Sequence, residues 1–308
     1  MTISDNHDFM ITVTTSQGQR GMREWIDKLI PEKLRSDIPV VPVVRLTGTI
    51  GFSTPLKPGL TIAGTARNLE RAFGIKRAKA VALIINSPGG SPVQSHLIYR
   101  RIRQLSDEKK IPVLAFVEDV GASGGYMIAC AADEILCDAS SLLGSIGVVG
   151  ATFGLDKAIK KIGVERRVYT SGKRKVMLDP FLPENADDVR RLKAIQEKIH
   201  EAFIALVKER RAGKLKGQES ALFSGEYWDG QQAVELGLAD GIDDLRGFLR
   251  QRYGEKVRTP LIAERGWFGR RVPGVGMGQL EQALMNTELA ESALSAIEAR
   301  ALWARYGL

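Results

Sequence analysis

The chain has 308 residues, 44% of them apolar, enough to bury a proper core, and 44 lysines and arginines against 36 acids give it a formal charge of +8. The basic excess is interspersed with acids, and aromatics are only 6% of the chain with no base-stacking pattern, so a solvated basic face is favoured over nucleic-acid binding. Cys130 and Cys137 form neither a CxxC pair nor a Cys/His cluster, which argues against a structural metal and a disulfide framework.

The opening stretch MTISDNHDFMITVTT carries Asp5 and Asp8 and no continuous apolar run, so it does not read as a secretory signal. In GMREWIDKLI, Met22, Trp25, Ile26 and Leu29 share one helical face bordered by Arg23 and Lys28, before Pro31 interrupts. So short a helix is expected to dock on its own domain or on a neighbouring subunit, with peripheral contact to an anionic membrane as the alternative. The longest uncharged run, Ala139 to Leu155, is broken by glycines and falls short of the roughly 20 apolar residues that span a bilayer. The expected location is the cytoplasm, with the inner-membrane surface left open.

Valine- and isoleucine-rich runs of strand length recur at Val40–Leu46, Val81–Ile85, Val113–Val117 and Glu134–Cys137, with helical stretches between them. That alternation predicts an α/β fold around a largely buried sheet. After the second run, NSPGGSPVQ sets Gly89 and Gly90 in a tight turn, then a capping-box pattern with Pro92 at the first helical position. A further strand is expected over Glu165–Tyr169. Val189, Leu192, Ile199, Phe203, Leu206 and Val207 then mark a long amphipathic helix from Asn185 to Gly213. A short helix around Ala233–Leu236 follows, then a Gly/Pro-rich connector, Gly266–Gly278, and a helix from Gln279 to about Arg305. The expected domains are an N-terminal arm, 1–37, a catalytic domain, 38–253, and a linker with C-terminal helix, 254–308.

The chemistry centres on EDVGASGGYMIACAADE, where a lone Ser123 stands among small residues at the front of an apolar helix, Gly124–Ala132. Backbone N–H groups at such a turn can face a developing oxyanion, and the same serine can simply cap the helix. On these residues alone the two readings are equal. A serine nucleophile needs a base, and the three histidines, His7, His96 and His200, read as a frayed end and two helix-surface positions. Lysine remains, and VYTSGKRKVMLDPF offers Lys173 and Lys175, the latter beside Val176, Met177 and Leu178. A lysine acting near neutral pH must drop about three pH units below roughly 10.4, a cost of about 4 kcal/mol that apolar burial can impose. Without further information, a basic surface loop outweighs that role. Both cysteines read as small buried hydrophobes rather than nucleophiles.

Taken together, NSPGGS, GASGGYMIACAAD, GSIGVVG, SGKRKVMLDPF and GEYWDGQQAVELGLAD resemble, in order and spacing, the motifs of the signal peptide peptidase A (protease IV) family over about Ile38 to Arg252. The resemblance implies a Clp protease/crotonase-like fold with repeated β-β-α units, here a single catalytic domain with an N-terminal arm and a C-terminal helical extension. It implies Ser123 as nucleophile, Lys175 as general base and Ser145 as the auxiliary serine that holds the lysine. The oxyanion donors would be the N–H of Gly124 and of Gly90, with Gly89 the next choice. The implied activity is hydrolysis of peptides or unfolded segments through an acyl-enzyme, without metal or cofactor. In short relatives the lysine comes from an adjacent subunit of a ring, so a homo-oligomer with Lys175 supplied in trans is expected. Departures are the single domain and the absence of the N-terminal anchor many relatives carry, which weakens a role in clearing signal-peptide remnants from the bilayer. Two rivals remain: a crotonase-type acyl-CoA hydratase or thioesterase, which needs no serine-lysine pair, and a non-catalytic oligomeric scaffold of the same fold.

Overall fold

The computed structural model describes residues 38–51, 59–172, 174–263, 297 and 299–308. The chain divides after Ile38, and apart from that residue every described position belongs to the second unit. The amphipathic arm and most of the expected Gln279–Arg305 helix lie outside the described residues, although 299–304 are helical.

Strands β1 (Val43–Thr47), β2 (Val81–Ser87) and β3 (Val113–Ala122) alternate with helices α1 (Ile62–Phe73) and α2 (Pro92–Lys109). A short helix α3 (Gly124–Ala129) follows β3 at once, then β4 (Glu134–Cys137) and β5 (Leu142–Gly144). Further on come α4 (Asp156–Lys161), α5 (Ala186–Arg210), α6 (Glu219–Leu222), β6 (Tyr227–Trp228), α7 (Gly230–Glu235), β7 (Gly241–Ile242), α8 (Leu245–Tyr253) and β8 (Leu261–Ile262). The expected α/β fold is present, and the four expected strands fall within a few residues of their predicted positions.

One sheet carries the order β6-β5-β3-β2-β1-β8, with β4 also on β3 and β7 on β4, and every pairing is parallel except β5 with β6. Because β8 pairs with β1, residues beyond 253 complete the same sheet. Both faces of the sheet are covered, which explains why β2 reads as an unbroken apolar run. Val81, Leu83 and Ile85 point with Ile98 and Ile102 of α2 into one core; Ala82 joins Leu114, Phe116 and Leu249 in the other.

Helix starts follow their caps. Thr61 accepts from Gly64 N at 3.2 Å ahead of α1, and Asn185 accepts from Asp187 N at 2.8 Å ahead of α5. At α2 the capping box is half made. Ser91 accepts from Gln94 N at 3.4 Å, but the Gln94 side chain turns away to accept from Ile62 N at 2.9 Å and ties α2 to α1. The Ser91 N–H is already committed to Ile50 O, so no reciprocal bond is available.

The expected strand at Glu165–Tyr169 does not form. Residues 164–170 have no regular structure and are exposed, within a stretch from 149 to 175 in which every described residue but two, Asp156 and Ile159, is exposed. Among the described residues, their β-branched side chains have no strand beside them to pack on.

Candidate active site

Parallel strands place their carboxyl ends together, and loops there are the usual location of a site in an open α/β sheet. Here β2 leads into the Pro88–Gly90 turn and β3 into Ser123. Ser123 has φ 52 and ψ −121, the first central position of a type II′ turn, which glycine normally takes. Holding serine there costs on the order of 1–3 kcal/mol. The conformation is fixed on both sides: Ser123 N–H donates to Gly144 O at 2.8 Å, and Ser123 O accepts from Met127 N at 3.0 Å. The Ser123 side chain makes no cap on α3, which leaves the hydroxyl's placement without a helix-capping explanation.

The surrounding glycines are required by close approach. A Cβ on Gly124 would come within 2.2 Å of Ser95 Oγ, and one on Gly125 within 2.5 Å of Ser87 O, so α3 lies directly on the end of β2 and the start of α2. Gly89, at φ 95, would set a Cβ 2.8 Å from both Gly124 N and Ser123 Cβ; the β2–α2 turn therefore abuts the nucleophile turn. Gly89 N–H faces Ser87 Oγ at 3.3 Å. Gly90, at φ 143, is pressed against Ile50, whose O would lie 2.1 Å from an added Cβ.

A cavity of about 360 Å³ opens beside Ser123, and Ser145, Gly147, His200, Tyr227 and Tyr306 contribute to its wall. Ser145 sits at φ 51 with its N–H donating to Glu226 O at 2.6 Å, next to Gly144, which packs under the Trp228 ring. The structure thus brings Ser123, Ser145 and the Gly89–Gly90 turn together. It does not bring Lys175 to them: Lys175 is exposed and is not among the residues lining the cavity. It lies on a turn in which its N–H donates to Gly172 O at 3.1 Å, ahead of Asp179, which pairs with Arg166, and Phe181, over which the Arg166 guanidinium stacks. The other candidate, Lys173, lies outside the described residues.

His200, read from the sequence as a helix-surface residue, is half-buried in the cavity wall, its Nε2 2.9 Å from Ile146 O. A carbonyl can only accept, so Nε2 carries the proton, and this nitrogen is committed to bracing the Ser145–Gly147 loop. His96 is exposed and stacks on Tyr99, and His7 lies outside the described residues. Neither cysteine is activated. Burial pushes Cys130 up to about 12, and burial with the nearby Asp138 and Asp229 does the same for Cys137. Among the described residues no cluster of His, Cys, Asp and Glu could hold a metal ion.

A model of peptidase family S49 matches residues 106–252. The putative protease slr0021 of Synechocystis is 32% identical over 248 residues, 76% of this chain and 86% of that protein. The chain belongs to peptidase family S49. This is the signal peptide peptidase A family that the motifs resemble, and the chloroplastic serine protease SPPA of Arabidopsis thaliana is 34% identical over 214 residues, 67% of this chain and 31% of its own. A Brucella abortus protein carrying the name Na(+)/H(+) antiporter NhaA is 56% identical over 287 residues, 92% of this chain. The chain spans only 39% of that relative's length. Among the described residues no helix is long and apolar enough to cross a membrane.

Proposed function

We propose that the chain is a serine endopeptidase that cleaves peptides or unfolded protein segments, with Ser123 as nucleophile and Lys175 of a neighbouring copy as general base. The observation that carries this is the strained, non-capping Ser123 set against the Gly89–Gly90 turn in a cavity that also holds Ser145. A neutral Lys175 takes the hydroxyl proton, Ser123 Oγ attacks the substrate carbonyl, and the lysinium returns the proton to the leaving amine. Water, activated by the same lysine, then hydrolyses the acyl-enzyme. The N–H groups of Gly124 and Gly90 are the oxyanion donors; Gly90 is favoured over Gly89 because the Gly89 N–H already faces Ser87 Oγ.

The surroundings of Lys175 support its being supplied in trans. A lysine in open water stays protonated, so it becomes a base only where a second surface dries it. The segment around it offers that surface: Phe153, Ile162, Val164, Val168 and Tyr169 are all exposed, Tyr169 to 89%. Apolar side chains gathered in this way mark an interface, and a second copy of the chain is the partner proposed.

The test is a serine-directed fluorophosphonate. The expected result is one label per chain, lost in Ser123→Ala. A well-folded protein that takes no label and binds CoA would overturn the reading in favour of acyl-CoA chemistry.

A further inference from the structure

Asp188, Leu192, Gln196 and His200 stand four apart on α5, forming one ridge of the helix, and all four are half-buried. The loop that carries Ser145 meets this ridge twice: a Cβ on Gly150 would come 2.9 Å from Gln196 Nε2 and 3.8 Å from Leu192 Cδ2, and Ile146 O lies 2.9 Å from His200 Nε2. At the other end of the ridge, Asp188 Oδ2 accepts from Leu178 N–H, just beyond Lys175, at 3.3 Å.

The loop itself is tightly wound. Gly144 and Ser145 have φ of 99 and 51, and Gly147 N–H donates back to Ser145 O at 2.9 Å, closing a three-residue turn around Ile146. The Ile146 side chain is fully buried, which fixes its Cα but not the peptide unit that follows. That planar unit carries the Gly147 N–H that closes the turn and, on its opposite edge, the Ile146 carbonyl that takes its donor from His200. Rotating the unit would break both bonds at once. A positive φ at serine persists only where the surroundings over-determine it. Glu226 O, which accepts from Ser145 N–H, supplies one restraint, and the locked peptide supplies the other.

We propose that His200 is a positioning residue for the serine-lysine chemistry: its Nε2–H locks the Ile146–Gly147 peptide, and the locked peptide holds the Ser145 hydroxyl where an incoming lysine can use it. The inference rests on the peptidase reading. Ser123 N–H donates to Gly144 O, so a displaced loop reaches the nucleophile turn as well.

The test separates the donor from the space it fills. Glutamine can set an amide N–H near the position of Nε2, methionine has a similar length without a donor, and phenylalanine keeps a ring without a donor. With a fluorogenic peptide, His200→Met should lower kcat by about tenfold, the rate equivalent of one ordinary hydrogen bond, and change KM by less than about twofold. His200→Phe should match it, so that either variant serves if the other fails to fold. His200→Gln should recover most of the wild-type kcat, and solution mass should be unchanged in all three. Wild-type kcat in a folded His200→Met or His200→Phe, or a His200→Gln as impaired as they are, would overturn the proposal, while fluorophosphonate labelling of Ser123 would keep the peptidase reading. A kcat loss that follows loss of the oligomer would also overturn it and make His200 an assembly residue. No labelling of the wild type would remove the peptidase reading and the inference with it.

Discussion

The two halves of the candidate catalytic pair live in opposite environments. Ser123 stands at the end of a central strand, with every residue of α3 buried behind it and glycines on three sides in sub-van-der-Waals reach of neighbouring backbone or side chains if given a Cβ. Lys175 stands in a stretch held by local turns and by the Arg166–Asp179 and Arg167–Glu165 ion pairs, with Phe153, Ile162, Val164, Val168 and Tyr169 of that stretch exposed. The first environment is complete in a single chain; the second leaves apolar side chains exposed. On the proposed reading, the core fixes the geometry of attack and assembly supplies the base.

Within the single chain, the largest expected effect is at the seam of the complete half. Gly89→Ala forces a Cβ into Gly124 N and Ser123 Cβ and puts alanine at φ 95, so it should lower kcat by about 10² to 10³, the range seen when one oxyanion donor is lost. Near-normal kcat in a correctly folded Gly89→Ala would break the claim that this turn is set against the nucleophile.

A smaller effect lies away from the site, at the start of β4. Arg211, 2% exposed, pairs with Asp240 at 2.7 Å and donates twice to Gly237 O, while Asp240 also accepts from Lys214 and from Ile135 N. Burial raises the Asp240 pKa, but these hydrogen bonds from Arg211, Lys214 and Ile135 outweigh it and leave the value lowered. A lowered folded pKa means that the stabilisation is present above the unfolded value near 3.9 and is lost as pH falls through the folded one. Asp240→Asn strands a buried guanidinium and should cost about 3 kcal/mol near pH 7, with the gap to wild type closing in acid. Denaturant unfolding across pH measures both; a gap that widens in acid would contradict the assignment.

The smallest effect on the single chain is expected in the incomplete half. Ile162→Asp with Tyr169→Asp changes exposed side chains and should shift monomer stability by less than about 0.5 kcal/mol. The same pair should disperse the oligomer and abolish peptidase activity, read by solution mass and by the fluorogenic assay. An oligomer that survives the double substitution would move the interface elsewhere.

What was legible in the sequence follows the same division. Strands β1 to β4, the long helix α5 and the serine turn could be read because runs such as Val81–Ile85 are buried on both faces and because Gly-Ala-Ser-Gly-Gly tolerates little else at that packing. Glu165–Tyr169 misled because β-branched residues signal a half-buried surface, and among the described residues no strand lies beside that surface. His200 was misjudged because Glu201 beside it is polar, while the face it shares with the Ile146 loop exists only after α5 has docked. Tyr306 carried no local signal at all: Val120, Ala122 and Tyr227, against which it packs, lie far back in the chain.

The central claim, that a lysine of one copy serves the serine of another, is tested most directly by mixing two dead variants. Ser123→Ala and Lys175→Ala, each inactive alone, should regain roughly a quarter of wild-type activity when co-refolded, because about one site in four then joins an intact serine to an intact lysine. Mixed oligomers that form and remain inactive would contradict it.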